Sequence, residues 1–350
     1  MAITTTGAIS FSDLRTEFVG GSSAISLGDL YRGGSNILKK AGDNTATNDA
    51  ASVPTSGAID MADFYSTAKS FTKTYSAGAT NQNASTIFGD DYDVNYPKNI
   101  VINNGVELGA TSTSEEALEV PSGGVGTITI TNNGTLSGYG GAAGSAGGDA
   151  FESAVNCTFV NNGTVRAGAG GGGAGGTGGG GSYSSSAGPT FSYAQYYWRT
   201  WHLGVQIKWA GSLDPYNVGI SHSTTSYGSY TRGSLYSSQE ENGNYYRISK
   251  SSTIYTSGGA GGAGGVGQGY GVSAGSGSGG SAGGTNAGTG GTGGAGGSFG
   301  NAGSTGATGA NGNYSNGSAG SAGGAAGKYA RQTAGTLTFT NNGTVQGNAP

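Results

Sequence analysis

Proline and cysteine are scarce in this chain. Six prolines in 350 residues, none of them between positions 258 and 327, exclude a collagen triple helix, whose Gly-X-Y repeat depends on abundant imino acids. The single cysteine, Cys157, excludes an intrachain disulfide and any multi-cysteine metal site. It stands in an alternating apolar run and reads as an inert core thiol. Leucine and isoleucine are sparse, so one large aliphatic core is not expected. Charged residues are 10% of the chain and the formal net charge is −4, a balance that argues against a nucleic-acid surface. No apolar run is long enough to span a bilayer, and no signal-like segment opens the N-terminus. The expectation is a chain that leaves its cell without such a signal or as part of a particle.

The residues of catalysis are equally thin. Glycoside hydrolysis needs two carboxylates across the scissile bond. The aromatic-rich stretch 182–257 offers Asp214, Glu240 and Glu241, and the last two, beside Asn242 and Gly243, read as a solvated turn. His202 and His222 have no cysteine or spaced carboxylate to complete a metal site. The GxGxxG matches in the glycine runs lack a strand–turn–helix context and carry no weight. The sequence therefore reads as non-enzymatic, without cofactor or metal.

Glycine is abundant, with 76 residues. Between 258 and 327 it recurs every third residue. Gly258 to Gly267 form one ladder, Gly288 to Gly312 an unbroken second, and Gly317 to Gly323 a third. Period three is the repeat of polyproline II geometry, which has no internal hydrogen bonds. A glycine edge lets backbones approach closely enough to pair with one another. The pattern predicts a packed bundle of polyglycine II helices, with Gly294 at a position where a side chain would intrude.

Two further repeats organise the rest. Ala8-Ile-Ser-Phe-Ser-Asp-Leu14, Ala24-Ile-Ser-Leu-Gly-Asp-Leu30 and Ala58-Ile-Asp-Met-Ala-Asp-Phe64 each fit a short helix start. Ser10, Ser26 and Asp60 are the N-caps, and Asp13, Asp29 and Asp63 complete capping boxes. Ile9, Ile25 and Ile59 staple onto Leu14, Leu30 and Phe64. Three such turns bury little, so the module is expected to dock its apolar residues on a partner. The second repeat is Ile100-Val-Ile-Asn-Asn-Gly-Val-Glu-Leu108, Ile128-Thr-Ile-Thr-Asn-Asn-Gly-Thr-Leu136, Cys157-Thr-Phe-Val-Asn-Asn-Gly-Thr-Val165 and Leu337-Thr-Phe-Thr-Asn-Asn-Gly-Thr-Val345. Asn104, Asn133 and Asn162 are equally spaced, and that constant interval predicts stacked solenoid rungs with these asparagines and Asn342 as equivalent corners. The fourth copy falls far out of step, so the stretch 166–336 reads as an excursion that leaves the stack and returns.

Within that excursion, 182–257 holds Trp198, Trp201 and Trp209 and about half the tyrosines. Trp201, Leu203, Val205, Ile207 and Trp209 alternate with polar residues, predicting one half-buried strand in a small antiparallel module. Tyr193, Tyr196, Tyr197, Trp198, Tyr227, Tyr230, Tyr245 and Tyr246 are the candidate contact residues. Tyrosine and tryptophan give large amphipathic contact area at low entropy cost, and flat aromatic faces suit sugar rings. Successive strand residues alternate faces, so Tyr196, Tyr197 and Trp198 cannot all point into one core.

The run Ile9-Ser-Phe-Ser-Asp-Leu-Arg-Thr-Glu-Phe18 with Ile25-Ser-Leu-Gly-Asp-Leu-Tyr-Arg-Gly-Gly34 resembles the N-terminal motif of many tail and fibre proteins of tailed bacteriophages. The glycine blocks separated by loops resemble the receptor-recognising adhesins at the long tail-fibre tips of T-even-like phages, in which polyglycine II helices form a layered bundle and end loops touch the bacterium. One very large loop and a solenoid-like preface depart from that pattern. The resemblance implies a non-catalytic tail or fibre adhesin, exposed at the virion surface, that binds a host glycan or outer-surface protein. Ile9, Leu14, Phe18, Ile25, Leu30, Ile59 and Phe64 would serve its attachment to other virion proteins. No nucleic-acid partner and no membrane insertion are expected, and a homo-oligomer is compatible with the sequence. The alternatives are a structural virion decoration or head-fibre subunit, a glycine-helix ice-binding protein, and a tailspike depolymerase. The expected fold class is mainly β and irregular. It comprises a helical module (1–70), a linker or strand-poor segment (71–99), Asn-Asn-Gly repeats with the first glycine blocks (100–181), an aromatic β insertion (182–257), and a glycine bundle with a closing repeat (258–350).

Overall fold

The computed structural model describes residues 3–21, 23–38, 45–187, 192–195, 200–202, 205–207, 230–239 and 243–349; between 186 and 251 the description is of backbone pairing alone. The described residues are mainly β, with a few short helical turns. Three stacks of strands organise the centre. The first runs Thr47–Asn48, Phe71–Tyr75, Lys98–Ile102, Ile128–Asn132, Cys157–Asn161, Leu337–Asn341, parallel except for its first, antiparallel member. The second runs Ala79–Thr80, Glu107–Gly109, Thr135–Ser137, Thr164–Arg166, Thr344–Gln346, and the third Gln82–Asn83, Leu118–Val120, Phe151–Ser153, Arg331–Gln332. The chain passes through the three stacks in turn and then climbs one tier.

Alternation drives this arrangement. Lys98–Ile102, Ile128–Asn132 and Cys157–Asn161 each bury their first, third and fifth residues. Ile100, Ile130 and Phe159 are thereby stacked in the interior, with Leu108, Leu136 and Val165 facing them from the second stack. Cys157 is buried, and its thiol bonds Ser153 Oγ at 3.2 Å. Lys98 takes an interior position because its ammonium donates to the carbonyls of Val94 (2.6 Å), Tyr96 (3.2 Å) and Val125 (2.7 Å).

The register explains the repeat spacing. Ile128 lies opposite Cys157 and Thr135 opposite Thr164, the same interval that separates Asn133 from Asn162. Cys157 then lies opposite Leu337 and Thr164 opposite Thr344, so the chain rejoins the stack in register after its long excursion. Two asparagine ladders tie these tiers. Asn132 donates to Asn161 (2.8 Å) and Asn161 to Asn341 (2.7 Å); Asn162 donates to Asn133 (3.0 Å) and Asn342 to Asn162 (3.0 Å).

Three expectations are corrected here. Asn104 is not an equivalent corner: Lys98 faces Ile128 and Glu107 faces Thr135, so the turn between is two residues longer and Ile102 stands opposite Asn132. Residues 71–99 are no linker; they supply a full tier and the helix Ala84–Phe88, capped by Asn83, which buries Ile87 and Phe88. The N-terminal module does not leave its staples for a partner. Leu14, Phe18, Leu30 and Phe64 are wholly buried in a core of their own with Ile37 and Val53, and Ile9, Ile25 and Ile59 pack against it. The three capping boxes form as read, with the aspartates accepting from the N-cap N–H at 2.7, 2.7 and 2.9 Å.

Every detour leaves the stack at one corner, between the second and third stacks of strands: 110–117, then 138–150, then 167–330. The last is the glycine bundle. Segment 168–181 lies at its centre, hydrogen-bonded on six sides. Gly172, Gly173 and Gly171 donate to Gly265, Ser304 and Ser145 (2.7, 2.9 and 2.9 Å), and Ala169, Gly173 and Gly171 accept from Gly141, Gly294 and Gly324 (2.8, 2.8 and 2.7 Å). The bonds recur every third residue: Gly172, Gly175 and Gly178 donate in turn to Gly265, Gly262 and Gly259. The ladder Gly288 to Gly312, unbroken in sequence, is two antiparallel segments that reverse at Gly300 (φ 70°), where Asn301 N–H meets Ser298 O at 2.9 Å. At the root of the bundle the Tyr270 ring lies over Gly109, where a Cβ would come within 2.0 Å of it. The Arg166 guanidinium lies 3.9 Å from the Phe299 ring centroid.

Candidate functional site

The bundle's far end is built from two turns and the roots of the insertion. Gly181–Ala187 pairs antiparallel with Gly243–Thr256, placing Ser182 opposite Tyr255 and Tyr183 opposite Ile254. Side-chain amides fix this root. Asn313 accepts from Ser182 N–H (2.7 Å) and donates to Ser182 O (2.8 Å), while Asn286, at φ 61°, donates to the same carbonyl (3.0 Å). Thr256 Oγ1 donates to Thr285 O (2.7 Å). The turn at Tyr314 is held by two N–H groups, of Tyr314 and Ser315, on Gly180 O at 3.1 Å each.

From this frame two rings project. Tyr255 is 61% exposed and Tyr314 62%, with centroids 4.6 Å apart in an edge-to-face contact. Ile254 is exposed beside Tyr255 in sequence. Neither tyrosine stood among the sequence candidates. The available signal was a phase slip: glycine steps from 312 to 317 instead of every third residue, and Tyr314 lies in that gap.

Of the sequence candidates, Tyr193, Tyr230, Tyr245 and Tyr246 lie on one sheet. Ser192–Gln195 pairs with Gly243–Thr256 so that Tyr193 is opposite Tyr246, and Tyr230–Gln239 flanks the other edge with Leu235 opposite Tyr246 and Ser237 opposite Tyr245. Tyr196, Tyr197, Trp198 and Tyr227 lie outside the described residues. The run from Trp201 to Trp209 is not one strand: Thr200–His202 pairs antiparallel with Val205–Ile207.

The root of the bundle has a different chemistry. Arg331 is ion-paired to Glu116 (3.0 Å), Asp149 (2.9 Å) and Glu152. One guanidinium does not balance three carboxylates. Burial, followed by the neighbouring Glu152 charge, pushes Glu116 up to about 7. Among the described residues no group of His, Cys, Asp and Glu is set to hold a metal ion.

A hydrogen-bonded rod that carries almost no charge and ends in exposed aromatics belongs to the class of scaffolds that present an end surface for contact. Its family follows from comparison. Residues 70–244, half of the chain, match the family model of the phage tail fibre adhesin Gp38, and the chain belongs to that family, whose place is the virion tail fibre. Among solved structures it is similar to the gp37–gp38 adhesin tip complex of the bacteriophage S16 long tail fibre, at 16% identity and a TM-score of 0.34, covering 83% of this chain and 87% of that chain. No curated protein sequence matches.

Proposed function

We propose that this chain is a non-catalytic adhesin of the fibre tip that binds a host-surface glycan or outer-surface protein through the far end of its glycine bundle. The observation that carries this reading is the exposed Tyr255–Tyr314 pair, held by an asparagine-fixed turn beside the root of the Tyr-rich insertion. In this reading the tiers are rungs of a solenoid. The glycine segments are polyglycine II helices, as their three-residue hydrogen-bond repeat supports. Residues 1–70 mount the chain on other fibre proteins. The division into a helical mount, a solenoid, a glycine bundle and an aromatic insertion follows that assignment, with 71–99 joined to the solenoid.

Purified full chain added to host cells should block adsorption of the phage. Tyr314→Ala should weaken that competition by roughly tenfold, the scale of a moderate hot spot, with thermal stability unchanged because the ring is mostly in solvent. A full chain that binds no host cells would leave the structural decoration reading in its place.

A further inference from the structure

The N-terminal module has the symmetry of a ring of three. Its repeats match position by position: Ile9, Ile25 and Ile59 are half-buried, and Leu14, Leu30 and Phe64 are buried in one shared core. The links between repeats are cyclic. Tyr31, which follows the second repeat, donates its hydroxyl to Gly57 O, just before the third. Tyr65, which follows the third, donates to Gly7 O at 2.6 Å, just before the first. Backbone bonds run the same way, Arg32 N–H to Pro54 O (3.0 Å) and Ser66 N–H to Thr4 O (3.2 Å). The first repeat departs only after Leu14, where Arg15–Val19 continues as a wider helical turn.

The first helical residue of each repeat is apolar: Phe11, Leu27 and Met61. Phe11 is 47% exposed, and the other two are partly exposed. Next to them Ser12, Gly28 and Ala62 are all exposed, and the neighbouring aspartates are occupied by their capping bonds. One chain thus displays three equivalent apolar side chains around a pseudo-threefold axis. A single chain has no internal need for that equivalence, whereas a partner with a true threefold axis offers three identical sites at once.

We propose that this face docks on the end of a homotrimer, along its axis, with one repeat on each subunit and therefore one copy of the chain per three. The inference rests on the reading of residues 1–70 as the mount of a fibre adhesin. The test uses particles of a phage deleted for this chain, rebuilt with purified full-length chain. Copy number comes from quantitative mass spectrometry, and the contacted subunit is identified by crosslinking. The expected result is one copy per three of that subunit. Phe11→Ser, Leu27→Ser and Met61→Ser should each lower retention about tenfold. Because Leu27 and Met61 also touch the core, Ser12→Lys, Gly28→Lys and Ala62→Lys supply charge beside the apolar trio at exposed positions. They should lower retention similarly, with unchanged melting. Restored adsorption with one copy per subunit, or with variants that rebuild as well as the natural chain, overturns the proposal and leaves the adhesin reading standing. Full-length chain that restores neither retention nor adsorption overturns both.

Discussion

At the scale of residues, what the sequence makes legible depends on whether a side chain's partner is local. Asn-Asn-Gly announces the corner because glycine and asparagine serve tight turns. That Asn161 accepts from Asn132 and donates to both Asn341 (2.7 Å) and Thr344 O (3.1 Å) appears only once three tiers are superposed. The same motif misleads at Asn104, where the identical letters sit in a longer turn and Ile102 fills the ladder position. The contact tyrosines 255 and 314 were hidden because the eye goes to aromatic density, and each stands alone at the edge of a glycine run. Glu116 was equally illegible, since its neighbours Asp149, Glu152 and Arg331 come from distant parts of the chain. Its carboxyl, raised to about 7 in the fold, holds a proton that the unfolded chain releases near its ordinary 4.5. The folded state binds more protons between those values, so this contribution to stability is present below about 4.5 and lost as pH rises through 7. Glu116→Gln mimics the protonated form. Its melting temperature relative to the natural chain should be higher at pH 8 and the difference should shrink by pH 5, read by calorimetry across that range. A constant difference would mean that Glu116 is charged throughout.

At the scale of elements, glycine content encodes how many neighbours a segment has. The segment 168–181 is the richest in glycine and, by composition alone, the most like a flexible linker; it is the most enclosed. At Gly168 and Gly171 a Cβ would lie 1.8 and 1.9 Å from the carbonyls of Tyr139 and Ala142. Three and six residues beyond Gly171, past the short 138–149 hairpin, the same register holds exposed Ala174 and Thr177. Their N–H groups, left without that neighbour, bond Ser321 and Ser318 Oγ at 2.8 Å each. Ala260 and Ala263 are capped likewise by Ser281 (2.8 Å) and Ser278 (2.7 Å). Period three was therefore readable, while the reversal at Gly300 was not, because its phase happens to be kept across the turn. The prediction is a contrast between two glycines. At Gly294 a Cβ would meet Ser304 O at 2.0 Å, and Gly279 has nothing within 4 Å. Gly294→Ala should cost about 3 kcal/mol or more, as overpacking against backbone does. Gly279→Ala should be neutral or stabilising by about 0.4–1 kcal/mol through the unfolded chain. Chemical denaturation of both variants checks this, and equal effects would mean that the bundle is not close-packed.

At the scale of the whole molecule, the fold is a column with one corner that grows. The loop at that corner lengthens from 110–117 to 138–150 to 167–330, and the last detour still returns in register to pair Cys157–Asn161 with Leu337–Asn341. A column that tolerates so large a detour separates folding from presentation. The stack and bundle supply hydrogen bonds and burial, and the insertion is carried at the tip. Its ends are direct neighbours, Tyr183 opposite Ile254, so residues 184–253 can be replaced by Asn-Gly, whose positive-φ geometry closes a two-residue hairpin. The shortened chain keeps Asn286, Asn313 and Thr256 at the root and every bond of the central segment. It should melt within a few degrees of the full chain and no longer block phage adsorption. Two other results are informative. Collapse of the melting temperature would make the insertion part of the bundle's own core. Retained competition for host cells would place the contact surface on Tyr255 and Tyr314 alone, and then Tyr314→Ala in the shortened chain should remove what binding is left.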